Sequence, residues 1–501
     1  MKNSKIFIFL FILFFSSQIS TFAQATKKKA VSSTSLEAID AIKESELKDD
    51  LYKMASDHFA GREAGTIDEL KVSTWFADLA RQAGLKPAGD DGTYFQFFNM
   101  SRNRISNSSS IRIGETNLKL WQDVLLTQTA PAVVSAPIVF VANPTKDGLD
   151  KIDIKGKAVA VMVSPEGIDL NVSLPERRYM GYVARKYAEL QNRGASAIIF
   201  IADEMAEKSW SQVEPALTRG AYNIEGQTSA VATTRTPILW LHTNEAGLVQ
   251  NPGATLNATI NVESFSYPSV NIVGKIDGTD PVLKNEYVLF SSHQDHDGER
   301  QPYGNDSIYN GADDNASVSV AILAIARAFK QSPAKRSALF VWHGAEERGL
   351  LGSRYYSANP TVKKESIVAV LNGDMIGRNA SDSAAVLGAQ PPHKNSNTLV
   401  SMALQANDEG PKFKLDTLWD KVQHVEGWYF RSDHLPYARA GIPSIFFTTL
   451  LHPDYHTPMD DAEHIDYKKL TKMTQWIYRT GWKVANSNQK PDLIPGFKLE
   501  R

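Results

Sequence analysis

The chain has 501 residues, 42% of them apolar and 22% charged, and contains no cysteine. Its 54 Lys and Arg against 56 Asp and Glu leave a net charge of −2, so there is no basic surplus to neutralise phosphates and no nucleic-acid partner is expected. The missing cysteine rules out disulfides, a thiol nucleophile, thiolate zinc ligands and a lipidated N-terminal cysteine.

Lys2 and Lys5 precede an apolar run from Ile6 to Phe15 and a small-residue site at Thr21-Phe22-Ala23. This layout predicts a secretory signal peptide over residues 1–23, hence export to the periplasm or the exterior. As a helix the apolar run spans only about 15 Å, roughly half a bilayer core, so stable membrane insertion is not expected. Residues 24–34 read as a polar leader. From Leu36 to about Leu85 the pattern is helical. Leu47, Leu51 and Met54 share one face, Trp75, Leu79 and Ala80 another, and Gly61-Arg62-Glu63-Ala64-Gly65 forms the break. Strand-like residues begin near Tyr94.

Between 131 and 247 the pattern changes. Ile138 to Val141, Ala158 to Val163, Ala197 to Ile201 and Ile238 to Leu241 read as strands, and Val183 to Asn192 as a helix ending at Arg193-Gly194. The segment has a β/α pattern of its own and no clustered ligand residues, so it is expected to be an inserted domain. The catalytic unit would then comprise residues 24–130 and 248–488, with 489–501 as a tail.

From about residue 268 short apolar strands alternate with helices. The strands are Tyr287 to Phe290, Leu339 to Trp342, Ile367 to Leu371 and Ile445 to Phe447; the helices are Val318 to Phe329 and Tyr467 to Val484. Strands apolar on both faces and separated by helices predict an α/β fold with a mixed, mainly parallel sheet sandwiched between helices.

Five polar clusters follow these strands, where open α/β sheets place their sites. His293-Gln294-Asp295 suits a metal site, because a ligand imidazole is normally oriented by a carboxylate on its second nitrogen; alone it reads as a surface turn. Gly311-Ala312-Asp313-Asp314-Asn315 precedes a helix and is open between a capped helix start and a carboxylate bridging two cations. Glu346-Glu347 places adjacent carboxylates at the end of an apolar strand, which is costly without a neutralising cation. Asp374 follows a fourth strand; His452, Tyr455 and His456-Thr457-Pro458 follow a fifth. Five such clusters in succession favour a zinc-like divalent metal centre.

This order of motifs resembles the co-catalytic zinc exopeptidases of the bacterial leucyl aminopeptidase and glutamate carboxypeptidase family. Residues 155–158 and 193–197 resemble a protease-associated domain, a β-rich insertion common in that family, and Ala60 to Thr66 is similar to its N-terminal segment. The resemblance implies two zinc ions, or other divalent ions, per chain. Asp314 would bridge them, His293 and Asp374 would complete one site, and Glu347 and His456 the other. Asp295 would orient His293, Glu346 would be the general base, and Tyr455 would steady the oxyanion. The choice of Asp314 over Asp313 rests on the family register alone. The family's glycine after Asn-Ala-Ser is Val318 here, which is expected to perturb the helix start mildly.

The resemblance thus implies an exported aminopeptidase acting on peptides. Glutaminyl cyclisation, carboxypeptidase action and a non-catalytic binding role are the alternatives. A carboxypeptidase would need a cationic pocket, which the sequence does not reveal. Ser432-Asp433-His434 cannot form a triad, because three consecutive residues cannot face one another, and no Gly-x-Ser-x-Gly elbow is present. Arg378 is expected in a structural ion pair. His296, His343 and His452 are expected behind the ligands or at the surface. The sequence indicates no oligomeric state.

Overall fold

The computed structural model describes residues 38–142, 150–227 and 236–499. The expected signal peptide and leader lie outside the described residues. No helix among the described residues is long and apolar enough to cross a membrane.

The early helical region forms as Glu44–Met54 and Ile67–Gln82, with a tight turn at Asp57–Arg62 between them. The Thr66 hydroxyl caps the second helix by accepting from the backbone N–H of Asp68 and Glu69. Four parallel strands form the middle of a ten-stranded sheet, in the order Ser444–Thr448, Ile367–Gly373, Tyr287–His293 and Ser337–His343. Antiparallel neighbours flank them on both sides: Ser383–Leu387 on one, Val262–Ile276 followed by Phe95–Ile105 on the other.

Adjacent residues of the central strand show why helices lie on both faces, since successive strand side chains point oppositely. Phe290 stacks on Phe340 and meets Phe329 of helix Val318–Gln331, whereas Leu289 packs with Tyr356 and Tyr437 from helices Leu351–Ala358 and His434–Arg439. The closing helix Tyr467–Asn486 crosses Phe290 at Gly481, where any Cβ would strike the ring.

A second, eight-stranded sheet draws its strands from Ser110–Ile113 through Thr255–Ile260, so it reaches beyond the expected 131–247 segment at both ends. The alternation of Val159 and Val161 with Ala158 and Ala160 gives it two separate apolar faces. One of them is covered by Pro175–Lys186 and Glu204–Arg219, a helix the sequence reading omitted. The helix expected over 183–192 is displaced. It starts at Pro175, whose fixed φ suits a first turn, and gives way near Tyr187 to the short helix Glu189–Asn192. The ribbon formed by Phe95–Ile105 and Val262–Ile276 carries the chain into and out of this sheet.

Candidate metal centre

All the central parallel strands end on one edge, and the candidate residues leave from it. His293 is the last residue of its strand; Glu346 and Glu347 follow Ser337–His343, Asp374 follows Ile367–Gly373, and Tyr455 and His456 follow Ser444–Thr448. Asp314 lies in the turn Ala312–Ser317 that leads into helix Val318–Gln331. Gly311 opens this turn at φ +55°, and a Cβ there would run into the His296 ring and the Asp314 carbonyl. Ala345, Met375 and His456 also take left-handed backbone conformations. Such strain costs about 1–3 kcal/mol per residue and gathers where function requires it. The methyls of Val318 lie over Gly373, which has no Cβ to oppose them.

The side chains converge on Asp314. Its Oδ1 lies 3.1 Å from His293 Nε2 and its Oδ2 lies 3.2 Å from His456 Nε2. Asp374 Oδ1 stands 3.7 Å from His293 Nε2, and Glu347 Oε1 stands 3.2 Å from His456 Nε2. Glu346 Oε2 reaches to 3.8 Å from His293 Nε2. The five expected ligands therefore fall into two groups that share Asp314, with Glu346 on the His293 side. Ligand-capable atoms of His293, Asp314 and Asp374 lie within 4.8 Å of one another, as do those of His296, Asp314 and Glu347 and those of Asp297, Glu347 and His456.

The donor set fits a divalent cation. His293 Nε2, His456 Nε2, Glu347 Oε1 and Asp374 Oδ1 are buried atoms without a hydrogen-bond partner, a costly state for polar groups unless something else engages them. His293 Nδ1 donates to the backbone carbonyl of Asp295 at 3.1 Å, which leaves the lone pair on Nε2. Imidazole and carboxylate donors suit zinc.

The electrostatics carry the same signature. Asp295, Asp297, Asp313, Asp314, Asp374, Asp433 and Asp460 are all buried in this region. Burial opposes ionisation of Asp314 and Glu347, but the histidines around them outweigh it and hold both well below the usual carboxylate range. Burial drives Glu346 well above that range; His293 opposes the shift, while Glu347, Asp374 and Asp433 add to it. Burial also raises Asp313 to about 8, aided by Asp460.

Asp295 acts differently from the expectation. Its carboxylate stands 3.8 Å from His293 Nδ1, and its two oxygens instead accept the backbone N–H groups of Glu346 and Glu347 at 3.0 and 3.3 Å. It therefore holds the Glu-Glu segment, while its backbone carbonyl orients the imidazole. Tyr455 packs its ring on His456, and its phenolic oxygen accepts from Arg431 at 2.8 Å. His296 is fully buried, its Nδ1 3.0 Å from Glu347 Oε1. His343 is buried with Tyr437 and Asn271, and burial pushes it down to about 3. His452 lies behind Asp313 and Asp460, and Arg378 pairs with Asp454. Ser432, Asp433 and His434 diverge as expected: Ser432 accepts from Asn372, and His434 stacks on Phe446.

Residues 271–480 match peptidase family M28. The chain is 28% identical over 245 residues to aminopeptidase YwaD of Bacillus subtilis, an alignment covering 47% of this chain and 50% of that protein. The chain spans about half the length of the curated relatives it matches. Two solved structures share its fold. The aminopeptidase from Aneurinibacillus sp. strain AM-1 has a TM-score of 0.58 at 17% identity, covering 91% of this chain and 97% of that one. The zinc aminopeptidase BSAP of Bacillus subtilis has a TM-score of 0.55 at 20% identity, covering 91% and 99%.

The candidate site includes residues that the sequence reading left out. Asp297 Oδ2 faces His456 Nδ1 at 3.1 Å, and the pair His296-Asp297, directly after His293-Gln294-Asp295, was the available signal. Asp460 accepts the backbone N–H groups of Asp313 and Asp314. Arg62, fully buried, donates to the carbonyls of Met54, Gln294, Asn310 and Gly311 and so ties three segments around the candidate site together.

Proposed function

We propose that this protein is an exported, zinc-dependent aminopeptidase with a two-metal centre. The observation that carries the reading is the division of five donor side chains into two groups sharing Asp314, one oxygen facing each histidine. The names of the aminopeptidases it resembles support the reaction class. Export rests on the N-terminal pattern. The second sheet, with its ribbon connection, is read as the protease-associated insertion.

His293, Asp374 and Asp314 would hold one ion, and Glu347, His456 and Asp314 the other. Bound zinc supplies a Lewis acid for the scissile carbonyl and makes water acidic enough to ionise near neutral pH. Glu346, held by the Asp295 contact to its backbone, takes the proton from the attacking water and passes it to the leaving amine. Burial keeps Tyr455 protonated above its ordinary range although Arg431 opposes this, and Arg431 already donates to its oxygen. The phenolic proton is thereby free to hydrogen-bond the oxyanion.

The test is metal content and hydrolysis of aminoacyl reporters, free and N-blocked, for wild type and Glu346→Gln. Two zinc ions in both proteins are expected, with cleavage of free N-termini only and a loss of about 10²–10⁴ in the variant. A single ion, or cleavage indifferent to blocking, would overturn the reading.

A further inference from the structure

A cavity of about 220 Å³ adjoins His456 and is lined by Arg177, Arg219 and Arg300, with Glu176 as its one carboxylate. The arginines come from separate elements: helix Pro175–Lys186, the end of helix Glu204–Arg219, and strand Gly298–Tyr303. None of them is fully neutralised. The Arg177 side chain makes no hydrogen bond or ion pair with any described residue. Arg219 Nε stands 3.7 Å from Glu63 Oε1, an oxygen that Arg348 already engages at 2.9 Å. Arg300 pairs with Asp297, which Arg348 shares, and its buried Nε–H has no acceptor. Burial first, and then the charges of Arg219, Arg348 and Arg177, push the Arg300 guanidinium down to about 8.

An unpaired Arg177 guanidinium and an Arg300 Nε–H with no acceptor, with Arg219 beside them, wall a cavity next to His456 and fit an anion carried by the molecule held at the metal centre. Arginine forks match the planar geometry of a carboxylate. We propose that this cavity is a subsite for a carboxylate of the peptide substrate. Its source is either the free C-terminus of a dipeptide or the side chain of an acidic N-terminal residue. The inference rests on the aminopeptidase reading and adds a substrate class to it.

The experiment compares kcat/KM of the zinc-loaded full chain on Leu-Leu, Leu-Leu-amide and Glu-Leu-amide. A ratio of Leu-Leu to its amide of about ten- to hundredfold identifies the C-terminal carboxylate, and a similar ratio of Glu-Leu-amide to Leu-Leu-amide identifies the side chain. Arg177→Gln should collapse the ratio that is raised, and Arg177→Lys should restore part of it. Calorimetric titration with succinate reads the subsite without turnover: Arg177→Gln should bind about tenfold or more weakly than wild type. Both ratios near one, or a raised ratio and succinate affinity unmoved by Arg177→Gln, overturn the subsite. If none of the three substrates is cleaved, the aminopeptidase reading fails, and the succinate comparison still decides the subsite.

Discussion

Asp297 stands behind His456, a ligand in the proposed metal centre, and between two arginines, so its replacement should separate metal affinity from stability. The residue is fully buried, its Oδ2 3.1 Å from His456 Nδ1, while Oδ1 accepts from Arg348 at 3.4 Å and pairs with Arg300. The carboxylate favours a proton on Nδ1 and so a lone pair on Nε2, the atom that faces Asp314 and Glu347. Removing such a group costs about 10–100-fold in metal affinity, or about 1.4–2.7 kcal/mol. It also leaves two largely buried guanidiniums without this partner, and breaking a buried ion pair costs about 3–5 kcal/mol. Asp297→Asn keeps the volume and one acceptor, so it belongs at the low end of both ranges; Asp297→Ala belongs at the high end. Competition with a chromophoric zinc chelator reads the two sites, and chemical denaturation of the zinc-free protein reads stability. One site should weaken while the other keeps its affinity. Equal weakening of both, or a stability loss with both affinities unchanged, would refute the argument.

Three further outcomes are expected. Zinc at about 100 times its dissociation constant should raise the unfolding free energy by about 2.7 kcal/mol per site over chelator-treated protein, because ligation relieves the crowded carboxylates; identical denaturation curves would count against a resident ion. Glu69, pushed up to about 8 by burial and Asp295, is protonated in the folded chain where the unfolded chain has lost its proton. The stability it contributes is present below the ordinary glutamate range and lost as pH rises towards about 8. Wild type should therefore lose up to about 1.4 kcal/mol per pH unit relative to Glu69→Gln across that window, and parallel pH profiles would contradict this. Gly481→Ala should destabilise by about 1–3 kcal/mol through collision with Phe290, and an unchanged denaturation midpoint would show that the helix can move away from the strand.

Much of the fold was legible because its signals are local. The strands at Tyr287, Leu339, Ile367 and Ile445 are continuous apolar runs, and the structure extends each by only two or three residues. Helix Glu204–Arg219 went unread, and so did the strand Ser383–Leu387. The limits of the second sheet were also misjudged. Its outer strands pair across long separations, as in Leu256 opposite Ile113, and no short window contains both partners.

The same division runs through the site. Residue types and their order after successive strands marked the polar clusters that the fold brings together, because a parallel sheet delivers consecutive strand ends to one edge; the choice of five donors within them rests on the family resemblance. Which atom faces which was decided elsewhere. The Asp295 carboxylate is drawn to the Glu346 and Glu347 amides by a loop some 50 residues further on, and so leaves His293 to a backbone carbonyl. Arg62 reaches carbonyls more than 230 residues away. The arginine cavity draws on the second sheet's helices and on a strand after His293, which meet only in the folded chain. By itself the sequence determined the chemistry available, through side-chain types and local periodicity. Only the tertiary structure decided charge balance, tautomer and access, because these depend on distances between segments that the chain brings together when it folds.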